Sequence, residues 1–173
     1  MNGNWLFLLL RVIHVVAGVL WVGGVVFMTR FLLPSARAAG PAAGPMMQQL
    51  SARKLAAYTP IVAILTVLAG FGLYWRDSAG FRSHEWLSSS SAMTFGAGGI
   101  IAILVWVLGL AVISPAGRRM TELGAAMGQA GGPPAPEQIT EMQALQARMS
   151  WSSRTASAGL IIKTILMAVA RYV

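Results

Sequence analysis

The stretch that decides the fold of this chain is residues 5–27, WLFLLLRVIHVVAGVLWVGGVVF. Its only ionisable side chains are Arg11 and His14, and it is long enough to cross a bilayer, which takes about 20 helical residues. Three more apolar runs follow, so the sequence predicts four spans, at about 5–27, 55–75, 93–114 and 152–172. The expected fold is all-α: an integral membrane four-helix bundle with up-down-up-down topology, in a single domain over residues 1–173.

The composition places the chain in the membrane class. Of its 173 residues 56% are hydrophobic and only 10% are charged, and the mean hydropathy is +0.66, which is too apolar for a soluble domain of this size. Cys is absent, which excludes disulfides, thiolate metal sites and covalently attached haem. The formal charge is +8, but the basic residues cluster at the ends of apolar runs, where they meet lipid headgroups. We therefore expect a lipid bilayer as the partner and no nucleic acid.

The distribution of Lys and Arg between the connections predicts the orientation. The first connection carries four basic residues and no acid: Arg30, Arg37, Arg53 and Lys54. The third is also basic: Arg118, Arg119 and Arg148, with Arg154 at its edge. In the second connection, Arg76 and Arg82 are balanced by Asp77 and Glu85. The positive-inside rule then makes the first and third connections cytoplasmic and puts both termini outside.

Two ionisable side chains near the middle of apolar runs mark a candidate site. His14 is in the first run, and Lys163 is in the last, residues 155–170, TASAGLIIKTILMAVA. Each is about ten residues from the outer end of its predicted span, so both lie roughly 15 Å deep and at the same level. An ionisable residue inside a span is a functional-site hypothesis by default. Because no acidic residue lies within these runs, we expect an anionic ligand here.

The helix face around His14 supplies further candidates. Residues spaced three, four and seven apart share a face, which groups Arg11, His14, Gly18 and Trp21. Gly18 leaves a notch where a flat ligand approaches the backbone, Trp21 forms a wall, and Arg11 lies outward, placed to pair with a carboxylate. On the second span, Thr66 belongs to a stripe of small residues. Such stripes serve close helix packing or line a cofactor slot, and the sequence leaves both open.

Each charged candidate has a functional and a structural interpretation. His14 is either a metal or haem ligand or a neutral imidazole hydrogen-bonded to a neighbouring helix. Lys163 pairs with a ligand carboxylate, transfers protons or ligates iron; the alternative is that it extends to the membrane interface, as is also possible for Arg11. No catalytic residue is assigned. Neither a Ser/His/Asp set nor a pair of carboxylates is present, which argues against hydrolysis.

The motifs resemble two families of bacterial membrane proteins. Residues 10–34, LRVIHVVAGVLWVGGVVFMTRFLLP, resemble the first span of the HemJ-type protoporphyrinogen oxidases and of the CopD copper-resistance membrane domain. The matching positions are His14, Trp21, Gly23, Gly24 and Arg30. Residues 52–75 are similar to the second HemJ span, with matching positions at Lys54, Leu55, Pro60, Thr66 and Gly70. Lys163 looks like the Lys in the last span of CopD-type domains. The chain departs from the HemJ pattern in having no His in its third span.

The resemblance implies a multi-pass protein of the bacterial inner membrane that binds haem b, with His14 as the iron ligand. The implied role is that of an oxidoreductase: electron transfer, or oxidation of a porphyrin-like or quinone-like substrate. The CopD likeness implies copper transport or handling instead. A third possibility is a non-catalytic subunit of a larger bioenergetic complex, or a homo-oligomer. The predicted cofactor-binding residues are His14, Lys163, Arg11, Gly18, Trp21 and Thr66.

Overall fold

The computed structural model describes residues 4–130 and 132–173, and this part of the chain is helical and has no strand. Helix α1 (Asn4–Phe27) does not end where the predicted span ends. It continues through a five-residue π-helical segment, Met28–Leu32, into α2 (Leu33–Ala39). Part of the predicted first connection is therefore an extension of the first helix.

The chain then reverses direction. A short 3₁₀ segment, Gly40–Ala43, leads into α3 (Gly44–Ala52), and α4 (Leu55–Asp77) begins after Lys54. Lys54 has a φ of 58°, in the left-handed region, which breaks the helical path between α3 and α4.

The second half of the chain contains two long helical segments. After α5 (His84–Leu87), α6 (Ser90–Leu108) passes through a π-helical segment, Gly109–Ile113, into α7 (Ser114–Gln129). The Ser89 hydroxyl caps α6 by accepting from the Ala92 N–H at 3.1 Å. Helix α8 (Pro136–Val169) is continuous, and ends before the predicted boundary at residue 172.

Three helical segments of the described chain are long and apolar enough to cross a membrane; they lie within Trp5–Ala39, Ala57–Asp77 and Ser90–Gln129. Helix α8 covers the predicted fourth span up to Val169 but is not among them. Its C-terminal half carries Arg154 and Lys163, which lower its hydropathy. The prediction for the N-terminus falls on residues 1–3, which lie outside the described residues.

The four long helices share one core. Helix α1 packs along α4, α8 packs against α6, α7 and α1, and α4 touches α6. The central cluster draws on all four: Trp21, Val62, Ala63, Ala102, Val105, Ala156 and Leu160. Large apolar side chains on the outside remain exposed, among them Val19, Leu68 and Leu104. Apolar exposure of this extent fits lipid contact.

Candidate ligand-binding site around His14 and Lys163

The imidazole of His14 is held against α4 by one hydrogen bond and one glycine. Its Nδ1 donates to the Thr66 carbonyl oxygen at 2.8 Å; a carbonyl has two lone pairs, so it accepts this bond besides its helical one. The ring lies on Gly70: a Cβ at that position would be 2.7 Å from Cε1 and 2.9 Å from Nδ1 of His14. Only glycine at position 70 permits this approach without displacing the ring.

This contact fixes the tautomer of His14. A carbonyl oxygen only accepts, so Nδ1 carries the proton. In the neutral ring Nε2 then keeps its lone pair and is free to bind a metal. Histidines that bind metals show the same arrangement, with the other ring nitrogen donating to a carbonyl or a carboxylate.

Lys163 is on α8, and its amine lies beside Gly18, one helical turn along α1 from His14. Lys163 is 4% exposed, and its Nζ is 6.0 Å from the centroid of the Trp21 ring. A Cβ on Gly18 would stand 3.8 Å from Nζ and 3.6 Å from the Thr66 methyl carbon. Within residues 4–130 and 132–173, Nζ makes neither a hydrogen bond nor an ion pair. The site therefore combines an imidazole with an amine that has no protein counter-ion.

The structure brings together five of the six predicted cofactor-binding residues: His14, Gly18, Trp21, Thr66 and Lys163. The notch at Gly18 is filled by the Thr66 methyl group and the Lys163 amine, so it accommodates protein side chains where a ligand was expected. Arg11, the sixth, is exposed.

The predicted cofactor-binding set did not include Gly70, the residue that receives the imidazole, although Gly70 is among the positions that match the second HemJ span. The available signal was its place four residues after Thr66, which puts both on one face of α4. Which face meets His14 depends on how α4 is rotated against α1, and no periodicity within one helix specifies that.

The donor set around His14 is too small for a metal site built from three or more protein ligands. The described residues contain no group of three or more His, Cys, Asp or Glu side chains able to hold a metal. Met167, one turn from Lys163, packs toward α6, where its methyl carbon would be 2.9 Å from a Cβ on Gly98. Haem iron brings four porphyrin nitrogens and needs only an axial ligand from the protein, which a single histidine supplies.

A groove opens between α1 and α4 toward the predicted outer end. It has a volume of about 480 Å³, and its lining includes Phe7, Leu10, Gly72 and Arg76. Leu10 is one helical turn from His14. The Arg76 guanidinium carbon lies 4.1 Å from the centre of the Phe7 ring, in the range of a cation–π contact. A largely apolar groove with one cation thus adjoins the site.

Comparison of the chain with protein-family models, with curated proteins and with solved structures found no match. The likeness to the HemJ and CopD groups therefore stays a prediction from short motifs.

Proposed function

We propose that this is a membrane protein that binds haem b through Nε2 of His14 and has a redox role. The observation that carries the proposal is the 2.8 Å hydrogen bond from His14 Nδ1 to the Thr66 carbonyl. With its Nδ1 proton committed to Thr66, the imidazole would offer Nε2, in a fixed orientation, to the iron of a haem.

The unpaired amine of Lys163 supports an anionic ligand. A charged side chain at mid-bilayer costs at least ~2.5–3.5 kcal/mol on the insertion scale, and no carboxylate offsets that cost here. Haem carries two anionic propionates, whereas the charge of its porphyrin ring is offset by the iron. A cation close to the iron would also favour the reduced form, which raises the reduction potential and suits electron transfer.

Two arginines toward the outer end are candidates to pair with the propionates. Arg11 precedes His14 by three residues and is exposed. Arg76 borders the groove between α1 and α4. Guanidinium groups bind carboxylates through paired, charge-assisted hydrogen bonds, so these side chains would hold the acidic edge of the ring near the surface.

The groove of about 480 Å³ also suggests where a substrate would lie. Small-molecule sites are mostly apolar clefts of about 300–1,000 Å³ with a few placed polar groups. A planar porphyrin-like or quinone-like molecule matches this lining. The proposed role is therefore electron transfer or the oxidation of such a molecule.

We further propose an up-down-up-down bundle of four spans in a bacterial inner membrane, with α8 as the fourth. The contacts of α8 with α1 and α6 support this assignment, because they place Lys163 among helices that are apolar enough to cross. The basic first and third connections would face the cytoplasm and both termini the outside.

An absorption spectrum combined with metal analysis of the purified protein tests the function. We expect a Soret band, split α and β bands on reduction, and iron near one per chain. If the protein contains copper and shows no Soret band, the function is copper handling and not haem binding. Neither metal, together with co-purifying membrane proteins, would support a non-catalytic subunit instead.

A further inference from the structure

A second polar site lies at the opposite end of α1 from the groove just described. There the π-helical segment after α1 and the start of α2 face the middle of α8. They enclose a cleft of about 30 Å³, here called the basic cleft, whose lining includes Thr29, Arg37, Ser150, Ser153 and Arg154. A π-helical turn is wider than an α-helical one, and such segments recur at functional sites.

The donors of the basic cleft are only loosely used within the protein. The Arg37 guanidinium donates to the Ser150 hydroxyl and to the Gln146 carbonyl, both at 3.5 Å. The Thr29 hydroxyl donates to the Ser153 carbonyl, also at 3.5 Å. These distances exceed the usual 2.7–3.2 Å, so the same groups retain the capacity to bind a better acceptor.

The charges of the cleft also lack partners. The salt bridges found in residues 4–130 and 132–173 both belong to Arg119, which pairs with Glu122 and Glu141. Arg37 and Arg154 have no carboxylate partner in this part of the chain. Two guanidinium groups beside hydroxyl donors match the geometry of phosphate oxygens.

We propose that the basic cleft binds the phosphate group of an anionic phospholipid. Its volume is about that of one water in the liquid, so it admits a phosphate oxygen and leaves the rest of the ligand outside the cleft. Phe27 and Phe31, on the same helical path, are exposed and would contact the surrounding acyl chains. Basic pockets between membrane helices bind anionic headgroups in this way. The proposal rests on the membrane location and not on haem binding.

Native mass spectrometry of the detergent-solubilised protein tests this, with phosphatidylglycerol and phosphatidylcholine as the probes. The wild-type protein should retain phosphatidylglycerol preferentially. The double variant Arg37→Gln/Arg154→Gln should lose at least about 10-fold of that preference, because charge-assisted bonds contribute more than neutral ones. The control Arg53→Gln/Arg118→Gln removes the same charge outside the cleft and should keep the preference.

Other results would overturn the proposal. An equal loss in the control pair would mean that general surface charge attracts the lipid. Release of bound lipid by millimolar inorganic phosphate would identify free phosphate as the ligand. If the double glutamine variant does not fold, Thr29→Val serves in its place: it removes one donor and keeps both charges, and unchanged lipid retention in that variant contradicts the assignment.

Discussion

The α1–α4 and α6–α8 interfaces use the same packing device for different purposes. In both, a glycine on one helix receives a side chain from the other. Gly70 receives the His14 imidazole, Gly98 receives the Met167 methyl, and Gly159 receives Val105, whose Cγ2 would be 2.8 Å from an added Cβ. Small residues on membrane helices allow such close approach.

The interfaces differ in what the received side chain does next. Met167 and Val105 complete an apolar contact. His14 also donates a hydrogen bond to the Thr66 carbonyl. One helical turn along α1 from His14, the unpaired amine of Lys163 lies beside Gly18. At both interfaces the small residues allow close helix packing. The chemistry of the site depends on which side chain packs against the glycine.

The largest effect should come from His14→Ala. Removal of the proposed iron ligand should lower haem content by more than about 10-fold, since even the loss of a supporting contact costs 10–100-fold. The chain has one other histidine, His84, which is exposed in the connection between α4 and α6. His84→Ala is therefore the matched control and should leave the haem content, measured by the pyridine haemochrome assay, unchanged. Equal haem in both variants would remove His14 from the site.

Gly70→Ala should affect haem and stability together. The added Cβ would displace the imidazole from Thr66, which should lower haem affinity by about 10–100-fold and stability by about 1–3 kcal/mol. At Gly98 the one close contact of the added Cβ is with the flexible end of Met167, and its other neighbours stand at an ordinary 3.6 Å, so Gly98→Ala should keep haem. Gly23→Ala has nothing within 4 Å of the new Cβ and serves as control. A haem titration of all three variants is the check, and equal affinities would contradict the geometry.

Lys163→Met should stabilise the haem-free protein and lower the reduction potential of the haem-bound one. Burial of an uncompensated charge is unfavourable, so its removal should raise the unfolding free energy by about 2 kcal/mol. The potential should fall because a cation no longer favours the reduced iron. Lys54→Met, at the junction before α4, provides the control in the only other lysine. An unchanged potential in Lys163→Met would place the amine away from the iron.

The sequence predicts some features of this site and not others. His14 and Lys163 were identifiable because ionisable residues inside apolar runs are rare. The helical rise predicted one level for both, whereas the Lys163 amine lies beside Gly18, one helical turn along α1 from His14. The continuation of the first helix beyond Phe27 to Ala39 was not predictable, because it runs through a π-helical segment and carries Arg30 and Arg37. Gly70 and the exposure of Arg11 depend on how two helices are rotated against each other, which only tertiary packing decides.

The smallest effect concerns the contact between α7 and α8 outside the apolar segments. The side-chain hydrogen bonds from Arg119, at 2.6 and 2.9 Å, hold the pKa of the Glu141 carboxyl below its usual value. A lowered folded-state pKa contributes stability that is full above the unfolded value of about 4.3 and is lost as the pH falls through the lowered one. The thermal unfolding midpoints of the wild-type protein and of Glu141→Gln should therefore converge at acidic pH, and the wild-type midpoint should be slightly higher at neutral pH. A gap that persists unchanged at acidic pH would contradict this.

The central claim is that Thr66 holds His14 in the tautomer that leaves Nε2 free for iron. ¹⁵N-histidine NMR of the protein, recorded before and after addition of ferric haem, tests it directly because the chain contains only two histidines. We predict that the haem-free protein shows His14 protonated at Nδ1 and unprotonated at Nε2, and that haem shifts and broadens the His14 signals while those of His84 stay unchanged. A proton on Nε2 of His14, or a His14 spectrum unaffected by haem, would contradict the account.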